Sequence, residues 1–431
     1  MNLITPVLTL LLGVAVILAG NGLLGSLLGV RGQLEQLSSG VLGVIMAGYF
    51  VGFLAGTFAI PRLIQRVGHI RTFTTLASLA SITALVHGLY VHAPLWFVLR
   101  VASGFCVVGL YIVIESWLNE RTDNAQRGLV FSVYMTTTLI GLAAGQLMLM
   151  AGDVTRLELF ATASVLLSLG LVPVALTDVH EPTLTPTERL GPVAVYRRSP
   201  LGVVGCIFAG ASAGAFWGLG PVFASALGLD TRGIAIFMAL TILGGILLLW
   251  PIGRISDRFP RRTVLAINCT LASLGATAAA VLAVSGTSWV IVAGMCWGGF
   301  GFALYALAAA HTNDHFERED MLEVTATLQL LWASGAIAGP ILAGQLMQSF
   351  GPEALMYFIA LTGLLPAIFA RYRMSVAATL PVEQQGEFVP QFATSPTALE
   401  MLPEDDDPGN DEPAVAGPDT DDAPTEEVDN A

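Results

Sequence analysis

Long apolar runs alternate with short polar connections along most of the chain. Twelve runs reach the ~20 residues that a helix needs to cross a bilayer. They cover about 6–28, 39–60, 72–91, 94–117, 128–150, 157–177, 201–224, 233–252, 263–283, 288–310, 322–347 and 353–370. Glycine is frequent inside them, which suits close contact between helices in a membrane. The pattern predicts an all-α polytopic membrane protein with twelve transmembrane helices.

Composition supports this interpretation, since 54% of the residues are hydrophobic and 12% are charged. The first run is too long, and lacks the basic start, for a cleaved signal peptide, so we expect it to be the first membrane helix. The four cysteines lie in apolar runs without metal-ligand spacing, and the chain has no lysine for a nucleotide-binding phosphate loop. We therefore expect no metal, no cofactor, no nucleic-acid partner and no enzymatic activity.

Arginine is distributed unevenly between the connections. Of the 19 basic residues, all arginine, fifteen fall in connections on the side of the N-terminus, while Arg31, Arg156 and Arg232 fall on the other side and Arg100 lies inside a run. Positive residues are enriched in cytoplasmic loops. The distribution predicts that both termini lie in the cytoplasm.

Two polar segments divide the chain. Residues 178–199 separate six apolar runs from six, which predicts an N-terminal bundle at 1–177, a linker at 178–199 and a C-terminal bundle at 200–373. After Arg373 there are 15 acidic residues and no basic ones, so the net charge of −13 leaves the membrane body at +2. We expect residues 374–431 to be a disordered acidic cytoplasmic tail, either a solvated extension or an interaction segment.

The two halves repeat each other. At an offset of 194 residues, Gly104, Tyr111 and Asn119 correspond to Gly298, Tyr305 and Asn313, and the acidic Glu120 corresponds to Asp314. At an offset of 192, Arg62 and Arg66 correspond to Arg254 and Arg258. Such repeats indicate two six-helix bundles of similar topology.

The polar decapeptide GRISDRFPRR at 253–262 lies between two apolar runs. It resembles the cytoplasmic loop motif of the major facilitator superfamily, with Pro260 where the pattern usually has glycine. The segments VIESWLN, GAFWGLGPVFA, WPIGRISDRF and GFALYALAAAHTNDH are similar to the bacterial YcaD-like group of that superfamily. The resemblance implies two pseudo-symmetric six-helix bundles in the bacterial inner membrane.

The resemblance also implies that this loop is part of a cytoplasmic gate, a latch between the bundles. Asp257 would face the start of the fifth helix, near Arg127 and Gly128, whereas its first-half counterpart is the uncharged Gln65. We therefore expect an asymmetric latch. Alternatively, the charges anchor the loops to anionic lipid, or the helix ends are solvated independently. The expected gate residues are Arg62, Arg66, Glu120, Gly253, Arg254, Asp257, Arg258, Arg262 and Asp314.

Two charged residues are expected inside the membrane. Arg100 begins RVASG, which resembles the fourth-helix motif of the superfamily, and a buried charge usually faces a cavity or a partner. It either handles substrate or protons, or extends to the outer surface. Glu115, fifteen residues further on, either exchanges protons or pairs with Arg62 or Arg66 in the gate.

Polar and aromatic side chains lie mid-helix on the spans that line the central cavity in this superfamily. The cavity candidates are Asn21, Tyr111, Tyr134, Trp217, Trp297, Tyr305, Gln329 and Trp332. Such a lining suits an amphipathic organic solute. The fifth-helix segment GLAAGQ has Gln146 where the drug/proton antiporters have proline, which weakens an efflux assignment.

The sequence therefore predicts a monomeric secondary active transporter that moves a small organic solute across the lipid bilayer by alternating access, coupled to protons. The alternative is a membrane receptor or scaffold, without transport, that acts through the acidic tail.

Overall fold

The computed structural model describes residues 4–122, 124–175, 190–376, 380–386, 388–389 and 394. Every regular element in these ranges is helical. The first half comprises α1 (Ile4–Leu34), α2 (Ser39–Val67), α3 (His69–Leu89), α4 (Ala93–Arg121), α5 (Asn124–Met148), α6 (Glu158–Leu169) and α7 (Leu171–Ala175). After the short α8 (Pro192–Arg198) come α9 (Pro200–Ala226), α10 (Thr231–Arg258), α11 (Arg261–Val284), α12 (Val290–Gly301), α13 (Ala303–Asn313), α14 (Met321–Phe350) and α15 (Ala354–Val376).

Eleven helical stretches of the described chain are long and apolar enough to cross a membrane. The tenth expected span consists of two consecutive helices, α12 and α13, which meet at Phe302. The sixth expected span is the shorter apolar stretch Glu158–Pro173, which comprises α6 and the start of α7. The molecule is an all-α polytopic membrane protein.

Local signals set several helix boundaries. The Ser38 side chain accepts a hydrogen bond from Val41 N at 3.3 Å and begins α2. Asp230 accepts one from Gly233 N at 2.8 Å and begins α10. These side chains satisfy backbone N–H groups that have no partner inside the helix. Gly68, with φ 87°, supplies the left-handed conformation that turns α2 directly into α3.

Backbone contact at glycine holds each bundle together, and the same contacts occur in both halves. A Cβ at Gly52 or Gly104 would overlap a carbonyl oxygen of the facing helix where α2 crosses α4. A Cβ at Gly244 or Gly298 would do the same where α10 crosses α12. The two glycine pairs are related by the offsets of 192 and 194 that relate the halves of the sequence. The bundles are therefore pseudo-symmetric at the level of individual contacts.

The two bundles also contact each other, through α2 with α14, α5 with α10 and α1 with α9. We call the end that carries residues 253–262 the motif end and the end that carries the α1–α2 connection the opposite end. A Cβ at Gly43 of α2 would overlap the carbonyl oxygen of Pro340, and one at Gly344 of α14 would lie 2.6 Å from that of Ser39. These contacts join the bundles at the opposite end.

Gly104→Ala should destabilise the fold, because its Cβ has no space beside the Tyr49 carbonyl oxygen. Such overpacking costs about 1–3 kcal/mol, which thermal denaturation of the detergent-purified protein would measure. Gly25→Ala is the matched control, since nothing lies within 4 Å of a Cβ there. Equal melting temperatures for the two variants would contradict this account of the helix crossings.

Candidate functional site

A cavity of about 160 Å³ lies in the middle of the molecule between the two bundles. Polar groups from α1, α2, α4 and α5 meet aromatic groups from α9, α13 and α14 around it. The side chains on which its chemistry depends are Asn21, Tyr49, Arg100, Tyr111, Gln146, Trp217, Phe302, Tyr305 and Trp332. Gly25 also lines it, and the absence of a side chain there leaves part of its space open.

Arg100 is the charged group of the cavity. It is 6% exposed, and its guanidinium carbon lies 4.5 Å from the centre of the Tyr49 ring. Its Nε has no hydrogen-bond partner among the described residues. The ring face attracts a cation but does not neutralise it. The cavity therefore contains a positive charge that the described residues leave without a carboxylate partner.

Aromatic rings form the wall contributed by the second half. Trp217 stacks on Phe302 with ring centres 5.6 Å apart and planes within 1°. Trp332 makes an edge contact with Tyr305 at 6.2 Å and also contacts Phe50 of α2 at 5.9 Å. The cavity thus places one cation opposite an apolar aromatic surface.

The structure brings most of the expected cavity residues together. Asn21, Arg100, Tyr111, Trp217, Tyr305 and Trp332 line the cavity. Tyr134, Trp297 and Gln329 do not. Trp297 packs into the second bundle, with its ring centre 4.7 Å from that of Phe216. Gln329 is 2% exposed within helix packing, and Tyr134 points away to Glu115.

Tyr49, Gln146 and Phe302 line the cavity but were not among the expected residues. Tyr49 lies under Arg100 on α2, and its hydroxyl is beside Asn21. Gln146 donates to the Gly22 carbonyl oxygen at 3.1 Å and accepts a hydrogen bond from the Ser26 hydroxyl. The sequence signal for Gln146 is its position in GLAAGQ, the first-half counterpart of GAIAGP. Nothing in the local sequence distinguishes Tyr49 from a packing residue.

Glu115 is fully buried near the motif end of α4. It accepts a hydrogen bond from the Tyr134 hydroxyl at 2.7 Å. The fifteen residues between Arg100 and Glu115 correspond to about 22 Å along a helix. Glu115 is therefore separate from the cation of the cavity and lies between the cavity and the motif end.

A cluster of charges, which we call the motif cluster, consists of Asp257, Arg261 and Asp314. The Arg261 side chain is 1% exposed and forms ion pairs with Asp314, which is 3% exposed, and with Asp257 at 3.2 Å, which is 39% exposed. Burial raises the pKa of the Asp314 carboxyl, and the Arg261 guanidinium opposes that rise. This cluster joins the ends of α10 and α13 to the start of α11.

The other expected gate residues lie around this cluster or on the matching surface of the first half. Arg262 is 5% exposed and donates to the Arg373 carbonyl oxygen at 3.3 Å. The guanidinium of Arg254 stacks on Trp250, 3.5 Å from the ring centre. Gly253 is buried, whereas Arg62, Arg66, Glu120 and Arg258 are exposed.

The acidic extension begins differently from the expectation. Helix α15 continues to Val376, and Phe388 and Val389 pack against the apolar core. Thr394 is 4% exposed and lines the central cavity. The rest of the expected disordered region, including residues 395–431, lies outside the described residues.

Two helical bundles around a central cavity define the class of a membrane transporter. The sequence model of the Major Facilitator Superfamily matches residues 10–305 and 202–402. The chain belongs to that superfamily. The resemblance inferred from the loop motif is confirmed.

Relatives and solved structures agree with this assignment. The uncharacterized MFS-type transporter YcaD of Escherichia coli (strain UTI89 / UPEC) is 28% identical over 363 residues, 82% of this chain and 92% of that protein. A similar transporter of Enterobacter sp. (strain 638) is 28% identical over 362 residues, with the same coverage. The nucleoside transporter NupG has a TM-score of 0.73 at 12% identity, covering 88% of this chain and 100% of that one. A bacterial homologue of the lysosomal transporter Spinster, in an inward-facing and occupied conformation, has a TM-score of 0.68 at 15% identity, covering 87% and 97%.

The two acids of the motif cluster should contribute differently to stability, because one is buried and the other is partly exposed. Asp314→Asn leaves Arg261 buried without its enclosed partner, and breaking a buried pair typically costs about 3–5 kcal/mol. Asp257→Asn removes a partly exposed partner, worth about 0–1 kcal/mol. Thermal unfolding of both variants should show the larger loss of stability for Asp314→Asn. The opposite order would mean that the buried pair does not stabilise this end.

Proposed function

We propose that the protein is a secondary active transporter that moves a small organic solute across the bacterial cytoplasmic membrane by alternating access. The observation that carries the proposal is the central cavity, because it is formed by both bundles and contains the buried cation Arg100. Transporters of this architecture bind their solute near the bilayer midplane, between the bundles. No enzymatic step is part of this function.

The chemistry of the cavity favours a solute with a negative group beside an apolar body. A charge inside a membrane is costly unless a partner compensates for it, and Arg100 has a ring face but no carboxylate among its described contacts. A carboxylate can accept two parallel hydrogen bonds from a guanidinium. The stacked Trp217 and Phe302 would contact the apolar body.

Proton coupling is supported by Glu115. A buried carboxylate between a solute site and one membrane surface can exchange protons as its surroundings change during transport. Its hydrogen bond with Tyr134 links α4 to α5, which belong to the same bundle. Proton binding at Glu115 would therefore act on the bundle that holds Arg100.

The unequal arginine distribution supports a motif end that faces the cytoplasm, with both termini on that side. The bundles contact each other at the opposite end through Gly43 and Gly344, so the described arrangement corresponds to an inward-facing state. In the alternate state, the motif end would close and Asp257 would reach the first turn of α5. A single chain supplies both bundles, which supports a monomeric transporter.

Carboxylate solutes should stabilise the purified protein more than their amides do. An aromatic carboxylate such as benzoate is a suitable probe, because engineered cavities of about 150 Å³ accept a benzene ring. We expect a benzoate-type acid to raise the melting temperature and the matched benzamide to have less effect. Arg100→Gln should remove the difference between acid and amide, and Arg100→Lys should keep part of it.

Gly25→Val tests whether the ligand occupies the cavity, because Gly25 lines the cavity and nothing lies within 4 Å of a Cβ there. Gly191→Val is the control, since Gly191 is also unobstructed but lies in the connection between the bundles. The melting temperature with the acid is then measured at two pH values in the unchanged chain and in Glu115→Gln. The comparison shows whether Glu115 causes any pH dependence of the stabilisation. If acids and amides raised the melting temperature equally across a panel of such pairs, the proposal of an anionic solute would be contradicted.

A further inference from the structure

A stretch of the C-terminal extension lies against the motif end and reaches the cavity. We define the C-terminal segment as the described residues 380–386, 388–389 and 394. We propose that this segment is an intramolecular ligand of the motif cluster, which blocks the cavity from the motif end and keeps Asp257 from forming the latch. Its effect on transport rests on the proposed function, whereas its binding does not.

The motif cluster binds the backbone of the segment. Arg261 Nη2 donates to the Gly386 carbonyl oxygen at 2.6 Å. Gly386 N donates to Asp314 Oδ1 at 3.1 Å, and Phe388 N donates to Asp257 Oδ1 at 2.8 Å. Hydrogen bonds to charged groups are stronger than those between neutral groups. All three charges of the cluster therefore contribute to one binding site for an extended peptide.

One side chain gives this site its selectivity. The Phe388 ring packs directly on Gly253, and a Cβ at position 253 would overlap it. Phe388 and Val389 both pack against the apolar core of the bundles. The glycine of the loop motif thus provides the space in which an aromatic ring of the segment binds.

The far end of the segment reaches the central cavity. Thr394 lies beside the Tyr134 hydroxyl, and its side chain is buried. Thr394 is six positions after Phe388, and a chain of that length spans at most about 20 Å. The same segment therefore binds at the motif end and contributes to the cavity wall.

Binding of the segment and formation of the latch compete for Asp257. Its Oδ1 accepts hydrogen bonds from Phe388 N and Arg261, so the segment lies against the carboxylate that the latch would use. The segment thus stabilises the arrangement in which the bundles meet at the opposite end. Solute can enter the cavity from the motif end after the segment has left.

Photo-crosslinking in the full-length chain tests the binding directly. Benzoylphenylalanine in place of Phe388 should react with residues of α10 around Gly253 when the protein is reconstituted in liposomes. The same probe in place of Phe350, which is 72% exposed at the opposite end, is the matched control. Gly253→Ala should reduce the α10 adduct about tenfold, because its Cβ occupies the position of the ring. An α10 adduct no stronger than that of the control would overturn the proposal.

Access to the cavity is the second readout. Cys296, the exposed cysteine of the described chain, is replaced by Ser, and Thr138→Cys places a thiol in the cavity lining. A small charged thiosulfonate added at the motif end should label this thiol about fivefold faster, or more, in Phe388→Ala, since loss of the packed ring favours release. Phe350→Ala should leave the rate unchanged. Equal labelling rates in Phe388→Ala and Phe350→Ala would contradict the proposal that the segment blocks the cavity.

The two proposals can fail separately. If the crosslink forms but no solute stabilises the protein through Arg100, the solute site is wrong and the segment still binds the motif cluster. If solute stabilisation depends on Arg100 but the crosslink is absent, the cavity remains a solute site and the segment is not its block.

Discussion

Backbone contact at glycine is the constraint on which the rest of the structure depends. In hydrocarbon, helices gain little from burying apolar side chains against each other, so their association depends on close packing and on polar contacts. Gly52 with Gly104, and Gly244 with Gly298, allow the helices of each half to approach until backbone atoms touch. The two bundles are compact for this reason. The cavity between them leaves open space at Gly25, where nothing lies within 4 Å of a Cβ.

Two buried arginines differ in how their charge is compensated. Arg261 is enclosed by Asp314 and Asp257 at the motif end, so its charge is compensated within the protein. Arg100 has the ring of Tyr49 and the open cavity. The first arrangement suits a structural and gating role, because its three charges belong to three different helix ends. The second suits a ligand that arrives and leaves.

The sequence predicted the helical spans well, because hydrophobic length is a direct requirement of the bilayer. It predicted Arg100 for the same reason, since a charge in an apolar run needs a polar environment. It could not orient each helix about its own axis, because both lipid and protein interior accept apolar side chains: Ile242 is 0% exposed and its neighbour Leu243 is 37% exposed. Tyr134, Trp297 and Gln329, which were expected in the cavity, therefore lie outside its lining, and Tyr49 was missed. The contacts of the C-terminal segment with the bundles were not predicted, because the average composition of 374–431 is strongly acidic.

The central claim is that the C-terminal segment and the latch compete for Asp257 while the bundles rock about the cavity. Spin labels at Arg71 and Phe259, exposed positions on the two halves at the motif end, would report this as a distance distribution in the full-length protein. The account predicts one long distance in the otherwise unchanged chain and an additional short distance in Phe388→Ala. An identical distribution in both proteins would contradict it.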